Sequence, residues 1–139
     1  MRKIFLDANV VIDLINAGNR FHTDLLFLFS ELTKQKKKLY ISPTTFAITY
    51  YFLSKHIKSK SKLNEEATAF FAGFIFTRED GVIMNKVFQS DFNDLEDGLQ
   101  YFSALDADID AIITYNQHDF AKSAIPVFHP SQYISQFLL

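Results

Sequence analysis

A chain of 139 residues with 16 phenylalanines, 6 tyrosines and a net charge of -2 has the material for one phenylalanine-rich core, since folding at this size buries roughly two thirds of the unfolded surface. With no cysteine, neither a disulfide framework nor a thiolate metal site is open to it. No apolar stretch approaches the roughly 20 residues of a membrane span, and the N-terminal run is broken by Asp7 and Asn9 with no small-residue cleavage site, so the cytoplasm is the expected compartment.

Lys3–Leu6 is a short apolar strand that stops on Asp7, and Ala8–Ile15 follows with helical spacing at Val11, Leu14 and Ile15. Asn16–His22 is polar and reads as a loop. From Thr23 a helical stripe of Leu25, Leu26, Leu28, Phe29 and Leu32 runs out in a lysine cluster, and Leu39–Ile41 is a second short strand. Ser42-Pro43 is a helix start, because serine caps and proline suits a first-turn position that needs no amide hydrogen. The helix that follows is expected to bury Phe46, Tyr50, Leu53 and Ile57.

Lys58–Lys62 is a surface connection, and Leu63–Phe76 reads as one helix with Ala67, Phe70, Phe71 and Phe74 at helical spacing. Its phenylalanines lie on more than one face, which suits either a docking surface or a fully buried helix. Gly81–Met84 can form a third strand. Asp94–Leu105 is helical with Leu95, Leu99 and Phe102 on one face, Ala111–Thr114 is an apolar run of the kind covered on both sides, Ile125–Phe128 is an edge strand and Ser131–Leu139 a closing helix. Short strands alternating with helices predict an α/β domain over residues 1–139, with a parallel sheet between helical layers.

Charge is unevenly spread. Between Leu32 and Asn64 stand Lys34, Lys36, Lys37, Lys38, Lys55, Lys58, Lys60 and Lys62 with no acid; between Asp91 and Asp119 stand eight acids with no lysine or arginine. A fold that brought the lysines to the rim of an acidic pocket would attract a polyanion while holding a divalent metal. Solvated helix ends and loops are the plainer explanation of the same lysines.

In an open parallel sheet ligands sit beyond the carboxyl ends of the strands. Asp7 follows the first strand, and Asn116 and Asp119 follow Ala111–Thr114, so they are expected on one edge. Asp94 and Asp97 open a helix and share one of its faces; Glu96 lies about 100° from Asp97. Clustered carboxylates raise one another's pKa unless something positive lies between them, and a hard divalent ion with oxygen ligands is the natural partner. Each residue also has a structural explanation: Asp7, Asp94 and Asn116 are good helix caps, and Asn116 with Asp119 resembles a capping box. Asp106, Asp108 and Asp110 precede the apolar strand and belong to the opposite edge, and Asp13 to the surface. The four histidines, His22, His56, His118 and His129, lack paired metal spacing, though His118 is close enough in sequence to Asn116 and Asp119 to touch a substrate.

The segments Ile4–Leu14, Tyr40–Phe46, Asp94–Ala104 and Ile112–Phe120 together resemble the PIN-domain family, in particular VapC-like ribonuclease toxins of toxin-antitoxin pairs. The resemblance implies a three-layer α/β/α domain with about five short parallel strands, and Mg2+- or Mn2+-dependent cleavage of RNA. It carries metal-site acids onto Asp7, Asp97 and Asp119, with Asn116 at a further site position and Asp94 and Glu96 as additional candidates. An antitoxin partner and a homodimer are part of the same implication. One departure stands out: the position where the family usually has a glutamate falls near Ile48, in a stretch with no acid, with Thr45 and Thr49 offering hydroxyls. A PIN-like module without catalysis, binding only RNA or protein, is the alternative; a phosphatase with Asp7 as nucleophile would want a second acid where Asn9 stands.

Overall fold

A computed structural model describes residues 1–139. Five parallel strands, β1 (Lys3–Leu6), β2 (Lys38–Ile41), β3 (Ile75–Phe76), β4 (Ala111–Ile113) and β5 (Val127–Phe128), form one sheet in the order β3-β2-β1-β4-β5. The chain winds outward from β1 through β2 to β3, then crosses back to lay β4 on the other side of β1. The register sets Phe5 against Tyr40 and Ile112, and Leu6 against Ile113.

Successive strand residues point to opposite faces, and the core divides accordingly. Ile4, Leu6, Leu39, Ile41, Ala111 and Ile113 face α1 (Ala8–Ile15), α2 (His22–Lys34) and α4 (Lys60–Phe71), where Val11, Leu28, Leu32 and Phe71 meet them. Phe5, Tyr40 and Ile112 face α6 (Leu95–Asp106) and the chain beyond β4, packing with Tyr101, Ala104, Phe120 and Ile125. Helices on both faces of a parallel sheet complete the three-layer α/β/α architecture. No helix is long and apolar enough to cross a membrane.

Three elements differ from the sequence expectation. Leu63–Phe76 is not one helix: α4 ends at Phe71, Ala72 and Gly73 turn the chain, and Ile75 and Phe76 pair with Tyr40 and Ile41 as β3. Phe71 and Phe74 are core residues and Phe70 packs against them; α4 buries one stripe, Leu63, Ala67 and Phe71, and leaves its other faces to solvent. Gly81–Met84 is not a strand but the start of α5 (Gly81–Phe88), capped by Asp80, whose carboxylate accepts from the amides of Val82 and Ile83.

The buried faces of two helices also differ. In α3 (Pro43–His56) the buried residues are Thr45 and Thr49, while Phe46 is exposed and Tyr50 and Leu53 only half-buried. In α6 the interior face is Gly98, Gln100, Tyr101, Ser103 and Ala104, with Leu95 mostly in solvent. Polar groups are accepted inside because they find partners: Gln100 bridges Ser42 and Thr45, at 2.9 Å to each hydroxyl, and Ser103 donates to the Arg78 carbonyl at 2.6 Å.

Candidate active site

The sheet's winding reverses between β1 and β4, the place where an open α/β sheet gathers its ligand groups. Asp7 stands at that point. It is the N-cap of α1, accepting from the Ala8 amide at 2.8 Å through Oδ1, while Oδ2 accepts from the Thr114 hydroxyl at 2.8 Å. Its backbone amide donates to the Ile113 carbonyl at 3.0 Å, continuing the β1–β4 ladder. The cap is real, and it does not exhaust the residue: the side chain is 5 % exposed, and a buried carboxylate is costly for capping alone.

Asp94 caps α6, accepting from the Asp97 amide at 2.9 Å. That fixes Asp97 in the first turn, half-buried, with Glu96 beside it. Beyond β4 the chain enters a 3-10 turn over Gln117–Phe120 that carries Asp119. Asn116 precedes the turn and binds Thr114 through its backbone amide at 3.1 Å, but its side chain caps nothing, so the Asn116–Asp119 capping box does not form. Asp110 lies at the opposite edge, accepting from the amides of Arg2 and Lys3 at 2.8 Å each.

Asp7, Asp94, Asp97 and Asp119 lie near enough for their charges to act on one another. Burial pushes the Asp7 carboxyl up and the bonds from Thr114 and Ala8 pull it down, while the charges of Asp119 and Asp94 raise it further. Asp97 is pushed from 3.8 to about 7, first by burial and then by the charges of Asp94, Asp119, Asp7 and Glu96. Glu96, though open to solvent, is raised by partial desolvation and then by Asp7, Asp94 and Glu79. The cluster thus has the chemistry a hard cation needs, oxygen donors in mutual repulsion. No three of these side chains close on a single point as the ligands of an all-protein cage would.

Sequence reasoning missed three contributors. Thr114, the last residue of an apolar run, orients Asp7; its position on the same edge was the available signal. Gln100 ties α6 to α3 from a fully buried position that helical spacing alone reads as a solvent face. Glu79, between β3 and α5, accepts from the Thr44 amide at 3.2 Å and from the Thr44 hydroxyl, bringing a carboxylate to the N-terminus of α3 from outside any recognisable pattern. Ile48 is half-buried, Thr45 is committed to Ser42 and Gln100, and the buried Thr49 hydroxyl has no partner, so neither threonine takes the place of an acid.

The lysines do not rim the acids. Lys34 ends α2 and Lys38 opens β2 opposite Lys3, at the start of the strands. Helix α3 begins at the site edge and its 14 residues carry the chain roughly 21 Å. There it turns into α4, with Phe46 edge-on to Phe71 and Tyr50 bonded to Asn64, leaving Lys55, Lys58, Lys60 and Lys62 around the hairpin tip. Lys122, 3.6 Å from Asp91, is the cation beside the acids. It shares with Asp94, Asp97, Asp119 and His118 the lining of a 580 Å3 cavity.

A family profile described as "PIN domain" matches residues 3–118. No curated protein sequence matches the chain. Among solved structures, the fold is similar to VapBC2 from Rickettsia felis bound to a DNA fragment from their promoter, with a TM-score of 0.63, 17 % identity and coverage of 91 % of this chain and 98 % of that one. It is similar to VapBC-1 from nontypeable Haemophilus influenzae, with a TM-score of 0.67, 14 % identity and coverage of 93 % and 98 %. It is also similar to VapC20 of Mycobacterium tuberculosis, a Sarcin-Ricin loop cleaving toxin, with a TM-score of 0.60, 15 % identity and coverage of 78 % and 86 %.

Proposed function

The chain belongs to the PIN domain family, and from that premise we propose that it is a metal-dependent endoribonuclease, the toxin of a toxin-antitoxin pair, acting in the cytoplasm. The observation that carries this reading is the buried Asp7 carboxylate at the sheet's reversal point, in mutual repulsion with Asp94, Asp97 and Asp119. Asp7, Asp97 and Asp119 are the proposed holders of Mg2+ or Mn2+, with Asn116, Asp94 and Glu96 around them. A divalent ion at such a site supplies Lewis acidity toward a phosphodiester and charge that offsets the carboxylates.

The chain's own residues do the positioning. Thr114 and the Ala8 amide hold both oxygens of Asp7 in place, and the Asp94 cap fixes Asp97 in the first turn of α6. The proposed protein partner is a small antitoxin, on the strength of the resemblance to VapC-like toxins; self-association of the chain is the second proposed assembly. RNA cleavage in Mn2+ by the purified protein tests the reading. The expected result is activity abolished by EDTA and reduced about 100-fold or more by Asp7→Asn. A folded wild-type protein that cuts no RNA in Mn2+ or Mg2+ overturns it.

One observation favours a second reading. The position where the family resemblance leads to a glutamate falls near Ile48, in a stretch with no acid, and no three acids close on one point, as in a module that binds RNA or protein without cutting. Saturable Mn2+ binding, lost in Asp97→Ala, favours the enzyme; no Mn2+ binding favours the module.

A further inference from the structure

The cavity beside the acids has walls that the metal chemistry does not use. Phe92 and Phe102, both half-buried, line it with ring centroids 5.9 Å apart and planes at 69°. Asn93 and His118, both exposed, also line it. Its 580 Å3 falls in the range of small-ligand sites, roughly 300–1,000 Å3.

Charge narrows the choice of ligand. Without a divalent ion, Asp91, Asp94, Asp97 and Asp119 face Lys122, the one lysine or arginine of the lining, so the part of the cavity away from any ion takes a neutral group better than an anion. A ligand that sets an apolar face against phenylalanine and offers donors and acceptors at its edge to an amide and an imidazole is a planar heterocycle. Proteins recognise single-stranded RNA by stacking unpaired bases on aromatic rings and bonding their edges.

We propose that this cavity is a nucleobase subsite: it receives one unstacked base of single-stranded RNA, against Phe92 and Phe102, with Asn93 and His118 at the base edge. The inference rests on the nuclease reading, which brings the adjoining phosphodiester to Asp97 and Asp119. It assigns base preference at the cleavage point to Asn93 and His118, the amide and the imidazole of the lining.

Titration of the 15N-labelled full chain in EDTA with adenosine, guanosine, cytidine and uridine, followed by amide chemical shifts, tests it. The neutral nucleosides probe the base without phosphate or metal. Expected are saturable shifts for at least one nucleoside centred on residues 90–93 and 118–122, and a dissociation constant raised about 5-fold or more by Phe102→Leu. Asn93→Ala, at an exposed position that leaves folding intact, is expected to narrow the difference between the four nucleosides. The subsite is overturned if no nucleoside moves these amides, or if both variants bind all four as the wild type does. A chain that cuts RNA without responding to nucleosides refutes the subsite alone, whereas one that binds nucleosides but cuts no RNA refutes the nuclease and leaves the base site standing.

Discussion

The Thr114 hydroxyl donates a 2.8 Å hydrogen bond to Oδ2 of Asp7, joining the end of β4 to the end of β1 where the sheet reverses its winding. The same oxygen accepts from the Asn116 amide at 3.1 Å, so one hydroxyl orients the buried acid and starts the turn that carries Asp119. Thr114→Val keeps the shape and removes both bonds. The expected cost is about 1–3 kcal/mol of stability at neutral pH, measured by urea unfolding. It shrinks in acid, because the bond serves the ionised form of Asp7 most; an equal cost at pH about 4 and about 7 counts against the bond to the carboxylate.

Asp97 sets a second pH dependence. A carboxyl raised on folding, here from 3.8 to about 7, binds more protons in the folded state than in the unfolded chain between those values, so stability falls as pH rises through that window. In EDTA, the wild type is expected to lose stability from pH about 4 to about 7 relative to Asp97→Asn, and the variant to be the more stable at neutral pH. Urea midpoints of the two proteins that run parallel across the window contradict this.

If Asp97 holds a divalent ion as proposed, the ion reverses that penalty: Mn2+ at a hundredfold excess over its dissociation constant is expected to add about 2.7 kcal/mol of stability. Because ligating carboxylates must be ionised, such binding near neutral pH is expected to release protons from Asp97. Calorimetric titration in two buffers of different ionisation enthalpy reads the release, which is expected to vanish in Asp97→Asn.

Gln100 offers a test of the interior. Gln100→Leu fills similar space but leaves the Gln100-facing sides of the Ser42 and Thr45 hydroxyls without a partner at fully buried positions, and the expected cost is about 1–3 kcal/mol. Adding Ser42→Ala and Thr45→Val to it is expected to cost less than the sum of the three single changes, since the groups form one network. Additive unfolding free energies in the three-way series count against the network.

Much of the fold was legible because local and long-range signals agree near the strands that matter most. Lys3–Leu6 is apolar because both of its faces are covered, and Asp7 and Ser42 cap the helices that leave β1 and β2. Agreement fails at β3, whose two residues owe their conformation to Tyr40 and Ile41 rather than to any pattern of their own. It fails also at Gly81–Met84, where the cap at Asp80 decides for a helix against a β-rich composition.

The candidate site was legible to the extent that it lies on strand ends. Asp7, Asn116 and Asp119 follow β1 and β4, and Asp94 and Asp97 open α6, so topology alone brings them to one edge. Thr45, Gln100 and Glu79 act through contacts between elements distant in sequence, which periodicity does not encode. The lysines were readable as a cluster but not as to place: the length of α3, together with its hairpin to α4, carries half of them away from the acids.

The bond between Asp7 and Thr114 closes a loop of 107 residues, and Asp119 lies farther still along the chain. Contacts of such long sequence separation form late, after the entropy of closing the loop has been overcome. A chain still being synthesised makes Asp7 107 residues before Thr114, and in that interval β1 has no β4 beside it and the acid has neither its hydroxyl partner nor its neighbouring carboxylates. A nascent chain is therefore without an assembled acidic site until most of the domain has emerged. That topology separates the moment of synthesis from the moment at which the acidic edge exists.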